Sequence, residues 1–112
     1  MGVLRKGDVV VYPFPYTDLT SRKLRPCLVC SNEMGEDVLL CQITSREIGR
    51  DRFAVPITAD MSSGSLFRHD SYVRVNMLFT ASTHQIVRRI GRISDDEYAQ
   101  VVRLIVQMIR KH

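Results

Sequence analysis

Arg25 is the residue of this chain whose type and setting most call for chemistry. It stands in Leu24-Arg25-Pro26-Cys27-Leu28-Val29, where a polar stretch gives way to an apolar run. A guanidinium keeps its charge, and burying one without a partner costs several kcal/mol. Pro26 fixes its own backbone and restricts Arg25 to extended geometry. The expectation is an arginine held in a set direction at the rim of a sheet, where the second strand starts, as a positioned phosphate-binding group. A salt bridge to Asp8 or Asp18 is the competing reading. Thr44 closes a predicted strand in Ile43-Thr44-Ser45. A threonine there is stiff at χ1 and can hold an anionic oxygen in place, although an ordinary strand-end threonine would look the same. Ser45 is a plausible helper.

The chain's 112 residues suit a single domain over residues 1–112. The apolar fraction of 45% and charged fraction of 25% are ordinary for a soluble globular protein. No apolar run approaches a membrane span, and residues 1–6 lack the apolar core of a signal peptide, so a cytoplasmic location is expected. The net charge is +4, and thirteen of the sixteen basic residues are arginine. Guanidinium groups fork onto phosphate and stack on bases, which favours a phosphate-rich partner. Cys27 and Cys30 form a C-x-x-C pattern inside a predicted strand. Residues three apart on a strand point to opposite faces, so buried, inert thiols are expected there. His69, His84 and His112 lie far apart in sequence. No metal cluster and no cofactor are expected.

The elements that must position Arg25 and Thr44 are short strands. Residues 7–14, 25–32, 38–44, 52–57 and 71–78 read as strands, with 84–92 a mixed pattern. Pro13 and Pro15 suggest that the first strand ends irregularly or lies at an edge. The run 25–32 suits a strand buried on both faces. In 71–78, Val73, Val75 and Met77 should share one face, with Tyr72, Arg74 and Asn76 on the other. Residues 15–24, 46–51 and 58–69 read as loops. Ser94 and Glu97 have capping-box spacing before a helix. Tyr98, Val101, Val102, Ile105, Met108 and Ile109 recur along that helix as its packing face. Without strand–helix alternation, a small, strongly curved antiparallel barrel with a terminal helix fits best.

The order Lys6-Gly7-Asp8-Val9, Arg25-Pro26-Cys27-Leu28-Val29, Ile43-Thr44-Ser45, Asp70-Ser71-Tyr72-Val73 and Gly91-Arg92-Ile93-Ser94 resembles the MazF/PemK family of toxins from type II toxin–antitoxin pairs. The resemblance runs over roughly residues 5 to 110. It implies an SH3-like barrel with a C-terminal helix, usually a homodimer, inhibited by an antitoxin whose flexible acidic segment covers a basic groove. It also implies a metal-independent endoribonuclease for single-stranded RNA. The family's R-P arginine matches Arg25 and its catalytic threonine matches Thr44. Thr17, Arg22, Lys23, Ser45, Arg46 and Asn76 are the RNA-binding candidates. The chain departs from the family in two places. Asp18-Leu19-Thr20-Ser21-Arg22-Lys23 replaces a Gly-Ser-Glu-Gln-type loop, and Asn76-Met77-Leu78-Phe79 replaces an Asp-Gln pair followed by arginine.

The implied reaction is attack of a 2′-hydroxyl on the adjacent phosphate of RNA. A preorganised cation stabilises the charge of its transition state, and Arg25 can contact two phosphate oxygens at once. Arg46, Arg50 and Arg52 form either a basic rim or a solvated loop. His69 and His84 are more often structural than catalytic, with His69 beside Asp70 kept as a candidate proton carrier. The alternative function is a toxin of the same fold that binds and poisons DNA gyrase. Such toxins use aromatic residues near the C-terminus, and this chain ends Arg110-Lys111-His112.

Overall fold

The computed structural model describes residues 2–15, 22–45, 51–57 and 71–112. Their strands are β1 (Asp8–Pro15), β2 (Arg22–Val29), β3 (Asp37–Thr44), β4 (Ala54–Ile57), β5 (Ser71–Ser82) and β6 (Arg88–Arg92). A 3₁₀ turn (Thr83–Gln85) joins β5 to β6, and helix α1 (Asp95–Lys111) ends the chain. The strands form one antiparallel sheet in the order β4-β5-β3-β2-β1-β6. This is the expected antiparallel architecture with a C-terminal helix, in an open form whose outer strands β4 and β6 do not pair with each other.

Both faces of the sheet carry apolar side chains. On one face Val9, Val11, Leu28, Cys41, Ile43, Val73, Val75 and Ile90 form the main core, under Tyr98, Val101, Leu104, Ile105 and Met108 of α1. On the other face Val10, Cys27, Val29, Val38, Leu40 and Ala81 pack with Leu4 and Ile86, with Tyr12, Phe14 and Phe79 at their margin. Strand alternation explains the split, since Val10 and Val9, or Cys27 and Leu28, must point opposite ways. The two-faced burial expected of the second strand is therefore present at Cys27, Leu28 and Val29.

Several boundaries differ from the sequence expectation. The β1–β2 ladder reaches Pro15 opposite Arg22, so β2 starts at Arg22 and Arg25 is its fourth residue. A hairpin can extend through polar residues because main-chain bonds do not need apolar side chains. Only Asp8 to Val11 of β1 pair with β6, which leaves Pro13 and Pro15 in the half with one neighbour, as proline requires.

Strand β5 runs on to Ser82, with an irregularity against β3. Ile43 faces Val73 while Cys41 faces Leu78, so residues 74–77 lie against Gln42 alone. The excess shifts the alternation. Val75 and Leu78 both serve the main core, whereas Met77, expected beside Val73 and Val75, is 40% exposed.

Helix α1 begins as expected. The Ser94 hydroxyl accepts from the Glu97 N–H at 3.1 Å, and the Glu97 carboxylate accepts from the Ser94 N–H at 3.2 Å. Asp95, Asp96 and Glu97 occupy its first turn and Arg110 and Lys111 its last, both favourable for the helix dipole. The Tyr98 hydroxyl donates to the Cys30 carbonyl at 3.0 Å and pins the helix to the end of β2. The expected packing stripe was too wide. Val102 and Ile109 are exposed, and Leu104 takes part instead. Among the described residues, no helix is long and apolar enough to cross a membrane.

One ionic cluster fastens β6 to β1. Asp8, 1% exposed, accepts from Arg92 at 2.9 Å, from the Arg5 N–H at 2.9 Å and from Arg89 at 3.5 Å. Gly7, just before Asp8, has φ of +90°, a backbone conformation that residues with a side chain rarely adopt. Asp8→Asn keeps the side-chain volume and removes the charge. It should lower unfolding stability by about 2 kcal/mol, towards the low end for a buried ion pair because both arginines can turn to water. Urea denaturation of the two proteins checks this.

Candidate functional site

Arg25 and Thr44 lie on adjacent strands, at the same end of the sheet. The β2–β3 ladder ends with Cys27 facing Gln42, and Arg25 and Thr44 each lie two residues beyond that last pair. Arg25 shares its face with Cys27 and Val29, and Thr44 shares that face with Gln42 and Leu40. Arg25 also sits opposite Tyr12 in β1, and Thr44 opposite Tyr72 in β5. Tyr12, Arg25, Thr44 and Tyr72 thus lie, by strand alternation, on one face of four adjacent strands, as two cross-strand pairs. Arg25 and Thr44 are both half-buried, at the depth where a side chain is oriented by its neighbours yet still reaches solvent.

The competing reading of Arg25 fails at Asp8. That carboxylate lies at the opposite end of β1, occupied by Arg89 and Arg92. Asp18, the other suggested partner, lies outside the described residues. Among the described residues Arg25 has no ion pair with a carboxylate. Its charge bears instead on Cys27, where it opposes part of the rise that burial imposes on that thiol. Thr44 has interactions of its own within the fold.

The other candidates surround this group unequally. Lys23 lies on the same face as Arg25, opposite Phe14, and Arg22 opposite Pro15; both are exposed. Ser45 follows Thr44 and is exposed. Asn76 is exposed in the excess segment of β5 against Gln42, one same-face step along β3 from Thr44. Thr17, Arg46, Arg50, His69 and Asp70 lie outside the described residues. Arg52 rests over the Phe53 ring at 5.0 Å from its centroid, which gives it a local packing role. His84 is exposed on the 3₁₀ turn, 3.1 Å from Glu36.

The cysteines behave as apolar filler. Cys27 belongs to one face's cluster and Cys30 to the other's, as their spacing requires. Burial pushes the Cys27 thiol well above its ordinary range, and a hydrogen bond with Cys41 together with burial does the same for Cys30. All three are free thiols.

Sequence reasoning did not place Tyr12 and Tyr72 beside the pair. The signal was present in the alternation, since Tyr12 is in phase with Val10. Its pairing to Arg25 depended on a hairpin register that residue types alone do not set.

Comparison with known proteins adds three findings. The sequence profile of a family described as PemK-like, MazF-like toxin of type II toxin–antitoxin system matches residues 5–109. No curated protein matches the chain by sequence. Solved structures with the same fold include a MazE–MazF complex from Deinococcus radiodurans, with TM-score 0.79 and 19% identity over all of both chains. An endoribonuclease in complex with its cognate antitoxin from a mycobacterial species gives TM-score 0.73 and 14% identity, covering 97% of each chain. The Mycobacterium tuberculosis toxin MazF-mt6 gives TM-score 0.67 and 18% identity, over 90% of this chain and 96% of that one.

Proposed function

The chain belongs to the PemK-like, MazF-like family of type II toxin–antitoxin toxins, and from that membership and the placement of Arg25 and Thr44 we propose that it is an endoribonuclease cutting single-stranded messenger RNA. The observation that carries the reading is a half-buried guanidinium without a carboxylate partner among the described residues, two residues beyond the last β2–β3 pair, as is the strand-end Thr44 on the neighbouring strand. Such a cation is oriented before substrate arrives. It can neutralise charge as the 2′-oxygen attacks the adjacent phosphorus and the 5′-oxygen leaves, with two oxygens of the phosphate gripped at once. Thr44 positions one of those oxygens through its hydroxyl.

Lys23 and Arg22, exposed on β2, supply unspecific phosphate contacts. Ser45 and Asn76, at the other side of the group, are placed to contact sugar or base edges. Thr17 and Arg46 complete the proposed RNA-binding set from the adjoining segments. The chemistry asks for no metal or cofactor from these groups.

The same reading supplies partners. One of the similar structures is an endoribonuclease in complex with its cognate antitoxin and another is a MazE–MazF complex, which supports a cognate antitoxin for this chain; the homodimer is carried over from the family resemblance. A flexible acidic segment would compete for the cations that the RNA uses. The match over residues 5–109 supports one toxin domain spanning residues 1–112, acting in the cytoplasm where messenger RNA is found.

Purified protein should cut a long single-stranded RNA with EDTA present. Arg25→Ala should slow cutting by at least about a hundredfold, the loss typical of one preorganised charge-stabilising group. Its unfolding free energy should stay within about 0.5 kcal/mol of wild type, since no ion pair among the described residues is broken. Thr44→Ala should show a smaller loss in the same assay. Undiminished cutting by Arg25→Ala removes Arg25 from the mechanism. Gyrase-dependent DNA breaks without RNA cleavage would move the protein to the other toxin class.

A further inference from the structure

The margin of the second apolar cluster holds three rings that its packing does not enclose. Val10, Cys27, Val29, Val38 and Leu40 are fully buried there, whereas Tyr12, Phe14 and Phe79 remain partly open. The rings meet edge to face. Tyr12 is 5.2 Å from Phe14 and 5.3 Å from Phe79 between centroids, and Phe14 is 5.5 Å from Phe79. Their planes differ by 65° to 67°, so no ring in the trio is covered by a parallel one.

Tyr12 is the most constrained of the three. It is fixed by the ladder opposite Arg25, by the two edge contacts, and by its hydroxyl, which donates to the Gln85 Oε1 at 2.9 Å. That last bond reaches from β1 to the 3₁₀ turn. A ring used only as filler gains little from being held at its polar tip. A ring that must present a defined surface gains orientation and gives up little entropy when something lands on it.

The position of the ring selects the occupant. Cross-strand neighbours have Cβ atoms about 5 Å apart, so the Tyr12 and Arg25 side chains leave the sheet side by side. Lys23, opposite Phe14, adds a second cation on the same face. A flat polarisable surface beside two cations is the combination that single-stranded nucleic acid uses, with phosphates on the charges and bases on the rings. We propose that Tyr12 is a stacking surface for an unpaired RNA base next to the phosphate held at Arg25, with Phe14, Phe79 and Gln85 fixing its orientation. The inference rests on the ribonuclease reading above and adds to it a base-binding residue.

The test uses 2′-O-methyl RNA, whose blocked 2′-oxygens allow binding without cleavage, carrying 2-aminopurine at successive positions. Wild type should quench the probe at one position. Tyr12→Leu should remove that quench and weaken binding roughly tenfold, the size of one lost base–aromatic stack, with the salt dependence unchanged. Tyr12→Phe keeps the ring and should retain most of both. Lys23→Ala should instead lower the salt slope by about one. A second measurement needs no variant: in wild type, 5-iodouracil placed at the quenched position should photocrosslink to Tyr12.

Equal affinity for Tyr12→Leu and wild type, or crosslinks confined to other residues, overturns the stacking role while leaving cleavage intact. A loss of dimer mass in Tyr12→Leu with RNA affinity preserved makes the aromatic margin an interface between copies, and also overturns it. Wild type that neither binds nor cuts RNA takes down the ribonuclease reading and this inference together.

Discussion

The buried carboxylate of Asp8 is the interaction on which the arrangement of the sheet turns. A charge 1% exposed has no water to solvate it, so its partners must come from the protein. Two come from β6 and one is the Arg5 backbone N–H, so the same ion ties the edge strand and the N-terminal segment to the start of β1. With β6 held there, β1 becomes an inner strand for its first half only, and its proline-bearing second half pairs with β2 alone.

The same cluster sorts the charges. Arg89 and Arg92 are the cations nearest to Asp8, and they neutralise it at close range. Arg25 lies four residues further along the β1–β2 ladder, beyond the reach of that carboxylate. Had a carboxylate instead been placed across from Arg25, the pair would have been worth little at a half-exposed site and the cation would have been spent. Among the described residues Arg25 keeps its charge without a carboxylate, a modest cost at a half-exposed position that water can solvate.

Features set by nearest neighbours were legible in the sequence. Ser94 and Glu97 are three residues apart on one chain segment, and the cap they form needs nothing from elsewhere. The apolar run through Cys27, Leu28 and Val29 could only be a strand covered on both faces, and it is. Arg25 stood out because a permanent charge sat where packing had no use for it. Features set by pairing between distant segments were not legible. The extension of β2 back to Arg22 depends on β1 continuing to Pro15, and the exposure of Met77 depends on three surplus residues against β3. Neither leaves a mark in local alternation. Thr17 and Arg46, in residues 16–21 and 46–50, lie outside the described residues.

Register explains why the group of Tyr12, Arg25, Thr44 and Tyr72 has its particular membership. A slip of one residue in β2 would turn Arg25 towards the main core and present Leu24 or Pro26 in its place. That slip is resisted on both faces at once. Leu28 would leave the core under α1, and Cys27 and Val29 would leave the cluster beneath Tyr12. Both faces of β2 would stay apolar after such a slip, which is opposed instead by exchanging Leu28 for smaller side chains in the main core and by turning the Arg25 charge inward. The direction of Arg25 is therefore set by the packing of the three hydrophobic residues that follow Pro26 and by its place in the β1–β2 ladder. An arginine aimed by its neighbours' packing is oriented before any ligand arrives, and among the described residues no carboxylate has to be displaced from it.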